Sequence, residues 1–168
     1  LDIASKQGEF ANALYKAFGD KVKDTVYSLP TSSLTYEFTR KVYALLGLPV
    51  KNVIKDYISC DLLNDKKKEK IMNEFISLGT DIVIGNPPYQ DDAVGEQKTY
   101  NGPIYNLYLD CAYSISDVEE MIHPARFLSN AGSTPKAWNK KMLEDRHIGI
   151  CEFWNKSVRL FDETEIKG

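Results

Sequence analysis

The three cysteines, Cys60, Cys111 and Cys151, are few and far apart. None forms the paired spacing of a zinc site, and an odd number cannot close a disulfide set, so the expectation is reduced thiols, buried as small residues in a cytoplasmic protein, with no metal. An excess of basic charge is also missing. With 21 Lys and Arg against 24 Asp and Glu, a net charge of -3 and a pI near 5.5, the chain has no field that would hold a phosphate backbone by itself. No apolar run reaches membrane-spanning length and no charged-then-apolar leader opens the chain, which predicts a soluble protein without a membrane partner. Repeats and low-complexity segments are lacking as well. There are only two histidines. His123 precedes a proline after a predicted strand and His147 lies near a predicted helix end, which favours structural roles over acid–base ones.

What is present is enough apolar material for one core: 43% of the 168 residues are hydrophobic and 27% charged, as in a globular domain of this size. The chain opens at Leu1 on what reads as the tail of a strand and closes on "EIKG", where another strand would start. A fragment truncated at both ends is therefore expected, with its oligomeric state left open.

Strands and helices alternate. After "LDIAS", Phe10, Leu14 and Phe18 recur at helical spacing. "DTVYSL" is short and extended, and Leu34, Phe38, Val42 and Leu45 then mark a helix face, with Ser33 as N-cap and Gly47 as the stop. "NVIKDYIS" reads as a third strand, Asp65 as the cap of a helix carrying Ile71, Phe75 and Ile76, and "DIVIG" as a fourth strand, apolar on both faces. Further on come a helix at residues 104 to 116, a strand at "EEMIH", a helix at residues 136 to 145 and a strand at "IGICEF". The lysine run at residues 65 to 70 reads as a solvated helix face. Residues 90 to 102 form a long polar loop. The alternation predicts an α/β fold, a doubly wound and mostly parallel sheet in the order 3-2-1-4-5.

Ligands of such sheets sit beyond the carboxyl ends of the strands, where strand order reverses. Two stretches meet there. In "LDIASKQGEF" an acid is followed by a turn to Gly8, which has no Cβ to keep a ligand from the backbone. In "DIVIGNPPYQ", residues 81 to 90, an apolar strand ends on Asn86, two prolines and Tyr89. Proline has no N–H and a φ fixed near about -65°, so Asn86-Pro87-Pro88 presents a rigid set of acceptors. The amide oxygen of Asn86 and the carbonyl of Pro87 suit the two hydrogens of one exocyclic amine, and Tyr89 offers a ring face to a planar base.

These residues resemble the N6-adenine DNA methyltransferases. "DIVIGNPPY" is similar to the catalytic motif of that family, and "LDIASKQGEF" to its S-adenosylmethionine-binding first motif, with Asp2, Ala4 and Gly8 in the cofactor-binding positions. "ISCDLLN" resembles the third motif and places Asp61 where a carboxylate accepts from the cofactor's adenine. "IYNLYLD" resembles the segment after the catalytic loop, and "IHPARFLSNAG" the stretch entering the loop of the fifth strand. "RLFDETEIKG" resembles the start of the motif whose aromatic residue, here Phe161, is a second stacking partner of the flipped base beside Pro88 and Tyr89. The chain differs from the family in two places. "ASKQG" has one glycine where many members have two or more, and "VYSLPTSS" offers Ser28 where an acid usually holds the cofactor's ribose.

The resemblance implies an S-adenosylmethionine-dependent methyltransferase fold and a catalytic-domain fragment over residues 1 to 168, from a restriction–modification enzyme. It would methylate adenine in DNA through catalytic Asn86, Pro87 and Tyr89, with DNA gripped mainly by a target-recognition domain outside this sequence. The same geometry suits an amino group in RNA or a glutamine amide in a protein. A non-catalytic module kept for assembly or DNA contact is the alternative from another class.

Overall fold

The computed structural model describes residues 1–90, 102–130 and 133–154. The chain divides into two compact units, Leu1–Pro88 with Leu107–Ile122, and Tyr89–Asn106 with His123–Gly168.

The first unit is built on an all-parallel four-stranded sheet of β1 (Asp2–Ser5), β2 (Ser28–Pro30), β3 (Ile82–Gly85) and β4 (Val118–Met121), in the order β2-β1-β3-β4. The chain goes from β1 to β2 on one side, then returns past β1 to lay down β3 and β4 on the other. Right-handed crossovers running in opposite directions place their helices on opposite faces of the sheet, which is the doubly wound α/β arrangement. The connecting helices are α1 (Glu9–Phe18), α2 (Ser33–Leu46), α3 (Asp65–Ser77) and α4 (Tyr105–Ile115).

Two predicted strands are not strands. In "NVIKDYIS" only Val53 forms a bridge, to Ser28 of β2, and the Ile54 N–H donates to the Ser28 carbonyl. A parallel neighbour meets the same strand edge at every second residue, and two residues beyond Ser28 stands Pro30, which has no N–H to continue the ladder. The third strand therefore stops after one bridge, and the chain turns into a 3-10 helix, Ser59–Leu63. Within "IGICEF", Ile150 and Phe153 are exposed and the segment is irregular. Its apolar pattern finds no partner strand among the described residues.

The face of α2 also differs from the expected one. Leu34, Phe38 and Leu45 are 50% or more exposed, whereas Thr39 and Tyr43 are fully buried. Thr39 Oγ1 lies 3.3 Å from Ser5 Oγ of β1, and Tyr43 OH lies 2.9 Å from Ser28 Oγ of β2. The strands beneath α2 carry hydroxyls, so the residues that meet them are hydroxyl-bearing. Below these pairs, Ala11 of α1 packs with Val22, Val26, Tyr43, Leu48 and Val53. Of the cysteines only Cys111 is buried, because Cys60 and Cys151 lie on the surface.

In the second unit α5 (Lys136–Glu144) presents Trp138 to a cluster of rings. His123 stacks on Tyr105 with centroids 5.6 Å apart, Phe127 lies tilted against His123, and Trp138 meets both Tyr105 and Phe127 edge-on. Burial pushes the His123 pKa down. Among the described residues no helix is long and apolar enough to cross a membrane.

Candidate active site

The switch point of the sheet lies between β1 and β3, where the two halves of the winding part. Asp2 is in register with Ile84, so Asn86, just past the end of β3, emerges beside the last residues of β1. The stretches Lys6–Gly8 and Asn86–Pro88 thus leave neighbouring parallel strands at one edge. This is the crevice in which sheets of this winding bind ligands.

Packing dictates how the strand reaches Asn86. A Cβ on Gly85 would stand 2.8 Å from Ile3 Cγ2 of β1, so glycine is what lets β3 run this close to β1 before the turn. Pro87 is buried and Pro88 half-buried, and among the described residues no backbone N–H donates to the Pro87 carbonyl. Asn86 is also half-buried. Tyr89 follows directly in sequence as the first residue of the second unit. Its carbonyl accepts from Ile104 N–H at 3.1 Å, and Gln90 bridges to Pro103. Burial pushes the Tyr89 pKa up to about 12, which keeps the phenol neutral and leaves its ring face as the chemically useful part.

Asp2 is buried at 1% exposure. Its Oδ1 accepts from Ala4 N–H at 3.4 Å, while Oδ2 is buried with no partner. Desolvation is the main reason its pKa is raised from 3.8 to about 7, with the Ser5 hydroxyl and the Ala4 N–H pulling the other way. A buried, half-satisfied carboxylate calls for an explanation. A ligand carrying a positive charge or a hydrogen-bond donor would provide one. Between Asp2 and Ser5, β1 and β2 shift register, Asp2 pairing with Ser28 but Ser5 with Pro30. Three steps along β1 match two along β2, as at a bulge, which re-aims side chains.

Gly8 is the N-cap of α1 with φ 75°, a left-handed conformation that side chains rarely adopt. A Cβ there would also meet Val42 Cγ1 at 3.2 Å. The left-handed turn therefore calls for glycine, and a side chain there would also have to press Val42 aside by a few tenths of an ångström.

Ser28 is fully buried, with its hydroxyl bonded to Tyr43, so a ribose contact there requires that bond to open. Asp61 lies in the 3-10 helix Ser59–Leu63, where Oδ2 accepts from Ile58 N–H at 3.0 Å and Oδ1 from Lys67 Nζ at 2.7 Å. Desolvation works to raise its pKa, but the bonds from Lys67 and Ile58 outweigh that and hold it below the ordinary value. His147 is exposed with Nδ1 3.1 Å from Asp145 Oδ1. Phe161 lies outside the described residues. Among the described residues there is no cluster of His, Cys, Asp and Glu that would hold a metal ion.

The structure thus brings Ala4, Gly8, Asn86, Pro87 and Pro88 to one edge of the sheet, places Asp2 at the start of β1 beside Ile84, two residues short of that edge, and sets Ser28 under α2. Sequence reading passed over Gly85, whose role depends on Ile3 across the strand boundary. It also passed over Ser5, Thr39 and Tyr43. No signal in the sequence marks Thr39 and Tyr43, because the hydroxyls they meet lie on distant strands.

A parallel α/β sheet with its crevice between β1 and β3 is the fold of Rossmann-like methyltransferases. Residues 17–161 match the family model of the Eco57I restriction-modification methylase, and the chain belongs to that family. The match includes Ser28, Asp61, Asn86 to Tyr89 and Phe161, and begins after the β1 turn. Comparisons with curated proteins and with solved structures return no match. Family membership makes the chain a methyltransferase of a restriction–modification system, acting on DNA.

Proposed function

We propose that the chain is the catalytic domain of an enzyme that methylates the N6 amino group of adenine in DNA, with S-adenosylmethionine as the donor. The observation that carries this reading is the exit of Asn86-Pro87-Pro88 from β3 at the switch point, beside the β1 turn. The target adenine would leave the duplex, at about a few kcal/mol of lost stacking and pairing, and rest on the ring of Tyr89, with Pro88 and Phe161 as further contacts. An aromatic amine is a weak nucleophile because its lone pair is delocalised into the ring. Asn86 Oδ1 and the Pro87 carbonyl, each accepting one N6 hydrogen, favour the tetrahedral nitrogen that attacks. Once the methyl group is on N6, the extra proton passes to water along one of these two bonds, since neither amide oxygen is basic enough to keep it.

The residues fit the donor. The unpartnered Oδ2 of Asp2 suits its cationic or donor-bearing groups and the backbone from Ala4 to Gly8 lines the β1 edge, whereas Asp61 and Ser28 would each have to exchange a bond, to Lys67 and to Tyr43, in order to contact it. S-adenosylmethionine supplies an electrophilic methyl group on a sulfonium. No metal enters this scheme, and a cytoplasmic location belongs to the same proposal.

The test is Asn86→Ala in the full-length protein. Losing one preorganised partner of the transition state costs about 3 kcal/mol, so transfer of labelled methyl to an adenine-containing duplex should fall at least about a hundredfold while cofactor binding is retained. Equal loss of cofactor binding would make Asn86 structural. Label entering RNA or protein but not DNA would redirect the proposal to those substrates.

A further inference from the structure

The end of β3 is seated against one side chain of β1. Asp2 lies in register with Ile84, and the Ile84 N–H donates to the Leu1 carbonyl at 2.8 Å, so one step further along the pair Ile3 and Gly85 stand side by side. Ile3 is fully buried, and its Cγ2 lies 2.8 Å from where a Cβ on Gly85 would be. Non-bonded carbons rest about 3.5–4.0 Å apart, so the γ-methyl of Ile3 already fills the space that a side chain at this position would need. On the β4 side, Met121 Sδ would lie 3.5 Å from the same Cβ, and the Ile122 N–H donates to the Gly85 carbonyl at 2.9 Å. The backbone of Gly85 is not left-handed, unlike that of Gly8. Space, rather than conformation, is therefore what calls for glycine. Cγ2 of Ile3 is carried directly on the branched Cβ, and such side chains have few rotamers into which to retreat. A side chain on residue 85 would thus move the end of β3, and the next residue is Asn86.

We propose that Ile3 and Gly85 are positioning residues for methyl transfer: the γ-methyl of Ile3, resting on a bare Cα, sets the distance between Asn86 and the β1 turn. This rests on the roles given above to Asn86 and to that turn. Neither residue touches the reacting atoms, so both act through Asn86. Attack on a methyl group needs the amine close and aligned, and a misplacement of about 1 Å can cost about a hundredfold in rate. Relieving the contact that Gly85→Ala creates takes a retreat of about 0.7 Å or more from 2.8 Å.

The test is a size exchange in the full-length protein, comparing Gly85→Ala alone with Gly85→Ala combined with Ile3→Ala or with Ile3→Val. Valine keeps both γ carbons and with them the clash, whereas alanine removes it. Single-turnover methyl transfer to an adenine-containing duplex at saturating S-adenosylmethionine should fall about a hundredfold in Gly85→Ala, with donor affinity by calorimetry kept within about threefold. Adding Ile3→Ala should restore the rate by about tenfold or more, and adding Ile3→Val should not. In asparagine-labelled protein the Asn86 amide resonances should shift in Gly85→Ala and return with Ile3→Ala. A wild-type rate in Gly85→Ala would overturn the proposal, as would rescue by Ile3→Val equal to that by Ile3→Ala, or no rescue by either. Should Gly85→Ala not fold alone, the two double variants are compared with each other by the same criterion. Should the alanine pair not fold, Ile3→Leu, which also lacks the second γ carbon, takes its place. A wild type that methylates no DNA would defeat the proposed function, while the Asn86 resonances would still report on the seating of β3.

Discussion

At the scale of single residues, Asp2 links the site to stability in a way that pH can separate. Its carboxyl is raised from 3.8 to about 7 in the folded chain, so between those values the unfolded state is ionised while the folded state holds a proton. The stability contributed by Asp2 is therefore full below pH 3.8 and lost as pH rises to about 7. A shift of this size corresponds to on the order of 4 kcal/mol. His123 acts in the opposite sense: its lowered pKa makes the fold less stable as pH falls below the ordinary histidine range. Only a difference measurement isolates Asp2. Asp2→Asn should gain stability relative to the wild type as pH rises from about 4 to 7 in urea titrations, while S-adenosylmethionine affinity of the wild type falls as Asp2 takes up its proton. A wild-type-minus-variant difference that stays flat over this range would mean that Asp2 keeps an ordinary pKa.

At the scale of elements, α2 shows how much the sequence revealed and where it stopped. Its existence and its stop at Gly47 were legible, since Gly47 closes the helix at φ 69°. Its cap was misread by one residue. Ser32 Oγ accepts from Thr35 N–H and Thr35 Oγ1 accepts from Ser32 N–H, a reciprocal box that Ser33 with Tyr36 three residues on cannot form. Among adjacent serines the third residue along decides, and Thr35 was the clue. The cap of α3 was off in the same way, with Asn64 Oδ1 accepting from Lys66 N–H ahead of Asp65. The buried face of α2 was not legible at all. Apolar periodicity picks out Leu34, Phe38 and Leu45, but the sheet below is lined by Ser5 and Ser28, and no pattern within one helix reveals what a distant strand carries. Ser32→Ala should cost about 1 kcal/mol, read as a lower urea midpoint with an unchanged slope. A loss below about 0.3 kcal/mol would mean that the Thr35 hydroxyl caps the helix unaided.

At the scale of the whole molecule, the adjacency of the first and fourth predicted strands was the inference on which the site depended. It held as β1 beside β3 because winding rules restrict the possible orders, even though the third strand shrank to one bridge. Charge completes the argument at this scale. A chain of net charge -3 approaches a polyanion without long-range attraction, and the lysines nearest to forming a basic face are partly spent on internal contacts. Lys67 is paired with Asp61 at 2.7 Å, and Lys70 lies over the Tyr57 ring at 5.7 Å. Each phosphate neutralised would steepen the salt dependence of binding by nearly one unit of slope. The 168-residue chain should therefore bind a non-cognate duplex no more tightly than about 100 μM at physiological salt, and fluorescence anisotropy between about 50 and 200 mM salt should give a slope shallower than about -3. Micromolar binding with a slope near -6 would instead show several lysines engaging phosphates at once, and residues 66 to 70 would then be a DNA-facing surface rather than a solvated helix face.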